Sequence, residues 1–170
     1  MCLEKYLAVR IYNRWGCNMK LKVNFYDEIN DKDLKFAVIM ARYNNKWIFC
    51  KHRQRETYEI PGGHREVNEN IIDTAKRELQ EETGAIDFNI EPITVYSVTR
   101  KDVDTNEKET FGMLFYAEVH SVKNTLESEI EEIKLFDRIP VNLTYPEIQP
   151  YLYNKVIEIK SKNKYKFTQY

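Results

Sequence analysis

The stretch GHREVNENIIDTAKRELQEETGA, from Gly63 to Ala85, decides the fold of this chain. It places three glutamates, Glu78, Glu81 and Glu82, within one turn of a predicted helix. Residues at i, i+3 and i+4 share a helix face, so the three carboxylates would converge. Like charges at this spacing destabilise a helix by roughly 0.2–0.5 kcal/mol per pair. Such a face is typical of a site for a hard divalent cation, which takes oxygen ligands.

The same stretch resembles the signature of the Nudix hydrolase family. That signature is a glycine, five residues, a glutamate, seven residues, and then Arg-Glu-apolar-any-Glu-Glu-any-Gly-apolar. Every position is met without a gap by Gly63, Glu69, Arg77, Glu78, Leu79, Glu81, Glu82, Gly84 and Ala85. At average residue usage, this coincidence would arise on the order of once in a million sequences or less. In detail the resemblance covers residues 37–140.

The resemblance implies an enzyme that hydrolyses a diphosphate linked to another group, usually a nucleoside, with Mg²⁺ or Mn²⁺ as cofactor. The metal ligands that it implies are the carbonyl of Gly62 and the carboxylates of Glu78, Glu81 and Glu82. Arg77 would orient a ligand carboxylate through its two-pronged guanidinium. Glu69 would support the junction of loop and helix, and Gly63 and Gly84 are the structural glycines of the signature.

The general base that would activate the attacking water is left open. In this family it is either a glutamate of the signature or one further along the chain. Three downstream candidates lie in the segment SEIEEIKLF: Glu129, which we prefer, Glu131 and Glu132. A solvated acidic patch is an equal interpretation of these three residues.

Several residues before and after the signature are candidates for binding substrate. Arg42, Arg53 and Arg55 could hold phosphates, although most of them are expected at the surface in a chain with 26 Lys and Arg residues. Tyr58 and Phe111 could stack on a nucleobase, although an aromatic residue in a sheet more often belongs to the core.

Two further stretches are similar to bacterial nucleoside triphosphate pyrophosphohydrolases: YEIPGGH from Tyr58 to His64, and FDRIPVNL from Phe136 to Leu143. Members resembling 8-oxo-dGTP diphosphatases come closest. The expected reaction is Mg²⁺-dependent hydrolysis of a nucleoside di- or triphosphate with release of a nucleoside monophosphate. Oxidised nucleotides such as 8-oxo-dGTP are among the candidate substrates. Two alternatives stay open. One is another linked diphosphate, such as a nucleotide sugar, ADP-ribose or an RNA 5′ end; the other is a non-catalytic nucleotide sensor.

Composition narrows the functional class. A chain of 170 residues is one domain by size, and its net charge of −1 predicts no bulk attraction to nucleic acid or membrane. Its three cysteines form no CxxC pair, which favours free thiols in a reducing compartment. No apolar run approaches the roughly 18 residues of a membrane span. We therefore expect a cytoplasmic protein whose partner is a small nucleotide. The prediction of a homodimer that forms through the aromatic-rich C-terminal helix is based on amino-acid composition alone.

The order of predicted elements favours an α/β domain with a mixed sheet, and the resemblance implies the α/β/α sandwich of the Nudix fold. The predicted strands are Leu34–Tyr43, Trp47–Lys51, Tyr58–Ile60, Phe88–Thr99, Thr110–Val119 and Ile133–Phe136. Asn44 and Asn45 supply a hairpin turn between the first two. The signature helix has Asn70 as its predicted cap and ends at Gly84. A closing helix is predicted over Pro146–Lys162.

Residues 1–18 have two interpretations. Trp15 and Gly16 force a TGGGG run in the coding strand, which resembles a ribosome-binding site shortly before the codon of Met19. We therefore hypothesise that residues 1–18 are an extension and that residues 19–170 form a single Nudix hydrolase domain. The alternative is an amphipathic N-terminal helix formed by Leu3, Tyr6, Leu7 and Ile11.

Overall fold

The structure is a computed structural model that describes residues 9–12, 18–101, 108–123 and 129–166. Its strands are β1 (Val9–Tyr12), β2 (Asn18–Tyr26), β3 (Leu34–Tyr43), β4 (Lys46–His52), β5 (Tyr58–Glu59), β6 (Gly62–His64), β7 (Ala85–Lys101), β8 (Lys108–Val122) and β9 (Ile130–Phe136). Its helices are α1 (Ile71–Thr83) and α2 (Gln149–Lys166), and a short 3₁₀ turn covers Asp31–Asp33. None of the described helices is both long and apolar enough to cross a membrane.

Within the described residues nine strands form one sheet in the order β1-β2-β7-β8-β3-β4-β5, with β6 paired to β3 and β9 paired to β4. The ladders β1–β2, β2–β7 and β7–β8 are antiparallel, whereas β3 and β8 run parallel. The predicted mixed sheet is therefore confirmed. Strands β7 and β8 extend beyond the predicted Phe88–Thr99 and Thr110–Val119 at both ends, because their ladder continues from Ala85–Val122 to Arg100–Lys108.

The predicted hairpin between β3 and β4 is present, but it is short. Asn44 and Asn45 have φ angles of 51° and 63°, as a two-residue type I′ turn requires. Only the pairs Arg42–Trp47 and Tyr43–Lys46 join the two strands. Beyond them the strands separate: β3 pairs with β6 and β8, while β4 pairs with β5 and β9. The cleft described below draws residues from both of these ladders.

One helix packs on each face of the sheet, which confirms the α/β/α sandwich. Successive side chains of a strand point to opposite faces, and β3 accordingly contributes to two cores. The core on the α1 side includes Ala37, Ile39, Ala41, Ala75, Leu79 and Phe115. The core on the α2 side includes Met40, Phe49, Tyr96, Leu114, Leu152 and Val156.

The two ends of α1 differ from each other in how well they were predicted. Gly84 ends the helix in the left-handed region with φ 70°, and its N–H donates to the carbonyl of Gln80 at 3.0 Å, as expected. Asn70 holds the cap position with its backbone, but its side chain makes no cap hydrogen bond. That side chain donates instead to the Asp73 carboxylate at 3.2 Å. Asn70 is therefore the cap residue, as predicted, but without the side-chain hydrogen bond that this position usually makes.

The termini also depart from expectation. Helix α2 begins at Gln149, later than the predicted Pro146, because Ile148 and Gln149 first donate their N–H groups to the carbonyl of Tyr145 in a turn. Residues 9–12 form a strand paired with β2, so Ile11 is not helical and the amphipathic helix was wrong there. Leu3, Tyr6 and Leu7 lie outside the described residues. The proposed start at Met19 stays a prediction.

The left-handed conformation at Gly84 leads to a prediction about the free energy of unfolding. An L-residue in this region costs roughly 1–2 kcal/mol, and asparagine tolerates it better than alanine. Gly84→Ala is expected to lower the free energy of unfolding by about that amount, and Gly84→Asn by clearly less. Urea unfolding of the three proteins measures the difference. Equal stability of the wild type and Gly84→Ala would contradict the helix ending described here.

Candidate active site

A cleft of about 960 Å³ lies between the sheet, the signature helix α1 and the start of α2. Four carboxylates line its acidic end, together with two glycines of β6: Glu59, Glu78, Glu82, Glu129, Gly62 and Gly63. Basic side chains lie at other points of the wall: His52, Arg55, Arg100 and Lys108. The cleft therefore combines concentrated negative charge with several cationic side chains.

Glu82 is the most deeply placed of these carboxylates, with 9% of its surface exposed. Its Oε2 accepts a hydrogen bond of 2.9 Å from the backbone N–H of Gly62. Burial, reinforced by the negative charges of Glu78, Glu59 and Glu129, raises the pKa of Glu82 to about 8, although the Gly62 N–H opposes this. Because an ionised carboxylate here lacks compensation, the group favours either a proton or a cation.

Glu78 lies against the backbone of β6. A Cβ atom built on Gly63 would lie 2.1 Å from the Glu78 Oε1, so no larger residue fits without displacing that carboxylate. A Cβ atom on Gly62 would lie 2.4 Å from the carbonyl oxygen of Ala37 in β3. The two glycines thus let β6 pass between β3 and α1. Burial raises the pKa of Glu78, and the adjacent Arg77 opposes that shift.

Arg77 joins the signature loop to α1 through hydrogen bonds. Its Nε and Nη2 donate to the two carboxylate oxygens of Glu69 at 2.8 and 3.0 Å, a bidentate pair. Its Nη1 donates to Glu78 at 2.7 Å, and Nη2 also donates to the carbonyl of His64 at 3.1 Å. One guanidinium therefore contacts the loop, the helix and a cleft carboxylate.

Glu69 stands at the junction of loop and helix. Besides Arg77, it accepts hydrogen bonds from the Thr74 hydroxyl at 2.8 Å and from the Glu66 N–H at 3.1 Å. The bond from Arg77, supported by these two, lowers the pKa of Glu69 to about 2. Glu69 thus remains ionised and supplies the side-chain contact at the start of α1 that Asn70 does not make.

The third glutamate of the helix face lies apart from the other two. The Glu81 side chain is 55% exposed and does not line the cleft, and its nearest cation is the Arg77 Nη1 at 3.4 Å. Across the described ranges, no three acidic, histidine or cysteine side chains are already arranged to hold a metal ion together. The expected convergence of Glu78, Glu81 and Glu82 is therefore incomplete in this structure.

The three downstream glutamates point in different directions. Glu129 lines the cleft, and its carbonyl accepts the N–H of Arg53 at 3.1 Å. Glu131 pairs with the Lys51 ammonium at 3.0 Å, while Glu132 accepts a long hydrogen bond of 3.4 Å from the Tyr58 hydroxyl. Among these candidates, Glu129 is the one that the fold brings to the acidic end.

Of the predicted phosphate-binding arginines, the cleft contains Arg55. Its Nη1 lies 2.7 Å from the Glu59 carboxylate, and its guanidinium lies over the ring of Tyr145 at 5.9 Å. Arg53 is exposed and is not part of the cleft wall.

Arg42 lies at the opposite end of β3. Its guanidinium is 5.2 Å from the Trp47 ring centroid, and its Nη2 donates to the carbonyl of Asn45 at 2.5 Å. It lies four positions along the strand from Val38, which lines the cleft, and this corresponds to roughly 13 Å. We therefore do not retain Arg42 as a substrate-binding residue.

The two aromatic candidates also face away from the cleft. Tyr58 packs edge-on against Phe136 with ring centroids 5.1 Å apart, and Phe111 packs against Tyr26 at 5.7 Å. The two residues of β5 are adjacent, so their side chains point to opposite faces of the strand. Glu59 is the one that faces the cleft. The sequence analysis missed Glu59, although strand alternation indicated that one of the pair had to face the signature.

The chain matches known proteins in sequence and in fold. The family described as NUDIX domain matches residues 31–153. YtkD from Bacillus subtilis (strain 168), provisionally named an 8-oxo-dGTP diphosphatase, is 28% identical over 125 residues, which cover 73% of this chain and 75% of that protein.

Two solved structures share the fold. The Bacillus subtilis pyrophosphohydrolase BsRppH has a TM-score of 0.67 at 22% identity, covering 88% of this chain and 96% of that chain. A UDP-X diphosphatase has a TM-score of 0.62 at 17% identity, covering 80% of this chain and 66% of that chain. At these identities the likeness shows the fold alone. With the family match spanning most of the sequence, the chain belongs to the Nudix family and is a Nudix hydrolase.

Proposed function

We propose that this enzyme hydrolyses the phosphoanhydride of a nucleoside di- or triphosphate with Mg²⁺ or Mn²⁺ as cofactor and releases a nucleoside monophosphate. The observation that carries the proposal is the buried Glu82 carboxylate, which lies in the cleft near three other carboxylates and is paired with no cation among the described residues. The provisional name of YtkD supports an oxidised substrate such as 8-oxo-dGTP.

The proposed metal ligands are the carboxylates of Glu78, Glu81 and Glu82 and the carbonyl of Gly62. The fit rests on the donor set, since hard divalent cations take carboxylate and carbonyl oxygens. When bound, the metal neutralises the phosphate charge and favours displacement at phosphorus. Because Glu78 and Glu81 contact Arg77 in this structure, these two side chains must turn to complete the ligand set.

The chain's own residues supply the remaining steps. Glu129 accepts a proton from the attacking water, whose oxygen forms a bond to phosphorus while the bond from phosphorus to the bridging oxygen breaks. The bridging oxygen leaves with its electron pair on the departing phosphate group. Arg55 faces the same cleft and stabilises charge on the phosphate chain. Arg77 and Glu69 join the loop to α1 and so position the helix backbone that carries Glu78 and Glu82.

We also propose a cytoplasmic location, which is supported by Cys50, a free and buried thiol, together with the absence of a CxxC pair in the sequence. A homodimer remains a prediction.

The first test is product release from a panel of nucleotides with Mg²⁺ or with EDTA. The panel contains 8-oxo-dGTP, dGTP, ADP-ribose, a nucleotide sugar and a 5′-triphosphorylated RNA. We expect metal-dependent release of a nucleoside monophosphate with a kcat/KM above about 10⁴ M⁻¹s⁻¹. Glu82→Gln is expected to lower that value at least about a hundredfold while the protein stays folded. No release from any compound, by protein that binds Mg²⁺, would favour a nucleotide sensor.

The role of Glu129 has its own test. Glu129→Gln is expected to lower kcat by about 10²- to 10⁴-fold, as removal of a general base does, and to leave Mg²⁺ affinity within a few-fold of the wild type. Glu132→Gln is the matched control, because Glu132 lies three residues further on and faces Tyr58. Steady-state kinetics and metal titration measure both effects. Similar kcat values for the two variants would remove Glu129 from the mechanism.

The raised pKa of Glu82 predicts how the stability of the metal-free protein depends on pH. Because the folded pKa of about 8 lies above the ordinary 4.5, the folded state holds a proton that the unfolded state has released. Its stabilising contribution is complete below pH 4.5 and is lost as the pH rises through 8. In EDTA, the Tm of the wild type should therefore fall over this range more steeply than that of Glu82→Gln. Parallel Tm curves for the two proteins would refute the uncompensated burial of Glu82.

A further inference from the structure

Strand β9 forms an edge of the sheet. Among the described residues, its only strand partner is β4, and no backbone group outside β4 hydrogen-bonds to the backbone of residues 131–136. The N–H and carbonyl groups that point away from β4 can therefore pair with another strand. Natural sheets protect such edges with charged side chains. Strand β9 carries charges of both signs, at Glu131, Glu132 and Lys134, so their effect depends on which residues they meet.

Two of these charges lie side by side on one face of β9. Glu132 and Lys134 are two positions apart, so their side chains point to the same face of the strand. The Tyr58 hydroxyl donates to the Glu132 carboxylate at 3.4 Å and accepts from the Lys134 ammonium at 3.5 Å. Both charged residues are exposed. A strand that pairs at this edge therefore meets a negative and a positive charge on either side of Ile133.

A second copy of β9 complements this edge in one register. In a two-fold symmetric antiparallel pair, residues that lie opposite each other come from the same face of the strand, so the axis passes through a residue paired with its own counterpart. Pairing Glu132 or Lys134 with its counterpart places like charges opposite each other, which is unfavourable. Pairing Ile133 with its counterpart instead places Glu132 opposite Lys134 at two points. Ile133 is also the midpoint of Ile130–Phe136, so this register pairs the whole strand.

We propose that β9 is an interface between two copies of this chain, which pair antiparallel about Ile133 and form one continuous sheet across the dimer. The backbone hydrogen bonds of the edge join the two copies, and the two Glu132–Lys134 pairs fix the register. Because each copy contributes a single strand, the dimer is expected to exchange reversibly with the monomer. This surface is different from helix α2, whose composition suggested a dimer.

Sedimentation velocity over about a hundredfold range of protein concentration, up to the high micromolar range, measures the association. The wild type should form a reversible dimer. Glu132→Lys places lysines opposite each other, and Lys134→Glu places glutamates opposite each other, so each variant should raise the dissociation constant at least about tenfold. Asp87→Lys makes the same reversal of charge at an exposed position of β7 and is the control, which should keep the wild-type value.

The two variants should also complement each other, which distinguishes this interface from any other. In an equimolar mixture of Glu132→Lys and Lys134→Glu, every charge at the axis faces an opposite charge, so a heterodimer should form although neither protein associates well alone. The double variant that carries both changes should regain the homodimer for the same reason.

Three results would overturn the inference. The first is a wild type that stays monomeric over the whole concentration range. The second is a wild-type dimer that both charge reversals leave unchanged, which would place the contact elsewhere, as at α2. The third is failure of both the mixture and the double variant to restore association while the proteins keep the wild-type circular dichroism spectrum. If a charge reversal unfolds the chain, Glu132→Gln takes its place, and an unchanged dissociation constant for that variant refutes the interface.

Discussion

The contact between the glycine backbone of β6 and the carboxylates of α1 is the constraint on which the site depends. Gly62 donates its N–H to Glu82, and Gly63 leaves room for Glu78 where a methyl group would overlap it. This approach brings strand and helix close enough to exclude water from Glu82. Burial, more than the neighbouring negative charges, raises the pKa of Glu82.

That arrangement is electrostatically unfavourable, and the chain offsets it outside the cleft. Arg77 neutralises Glu69 and contacts Glu78, but among the residues that the structure describes no cation pairs with Glu82. The partners of Glu69 thus keep it ionised, whereas burial favours the protonated form of Glu82. The same short segment therefore contains two carboxylates whose pKa values are shifted in opposite directions.

The fold and the role of the signature helix could be predicted well from the sequence, because both depend on local patterns with fixed spacing. The hairpin turn at Asn44–Asn45, the end of α1 at Gly84 and the two long strands follow directly from such patterns. Residues outside the signature were predicted less well. Arg42 and Tyr58 are residue types that bind nucleotides, but neither of them lines the cleft. Arg42 lies too far along β3, and the side chain of Tyr58 is on the other face of β5.

The residues missed by sequence analysis have a common physical reason. Glu59 and Gln149 reach the cleft only because distant segments meet there: β5 through its pairing with β4, and the start of α2 through its packing on the other side of the sheet. Strand alternation indicates that one residue of β5 faces the signature, but a single sequence does not show which distant segments meet at the cleft.

The parallel pairing of β3 with β8 has a consequence for how the protein folds. The whole signature, from β6 through α1, lies in sequence between these two neighbouring strands. Closing this ladder therefore closes a loop that contains the whole signature, and such non-local pairing costs entropy and slows folding. Since β3 lies directly against Gly62 and β8 pairs with β3, a nascent chain that ends before β8 lacks the strand that holds this side of the acidic site in the sheet.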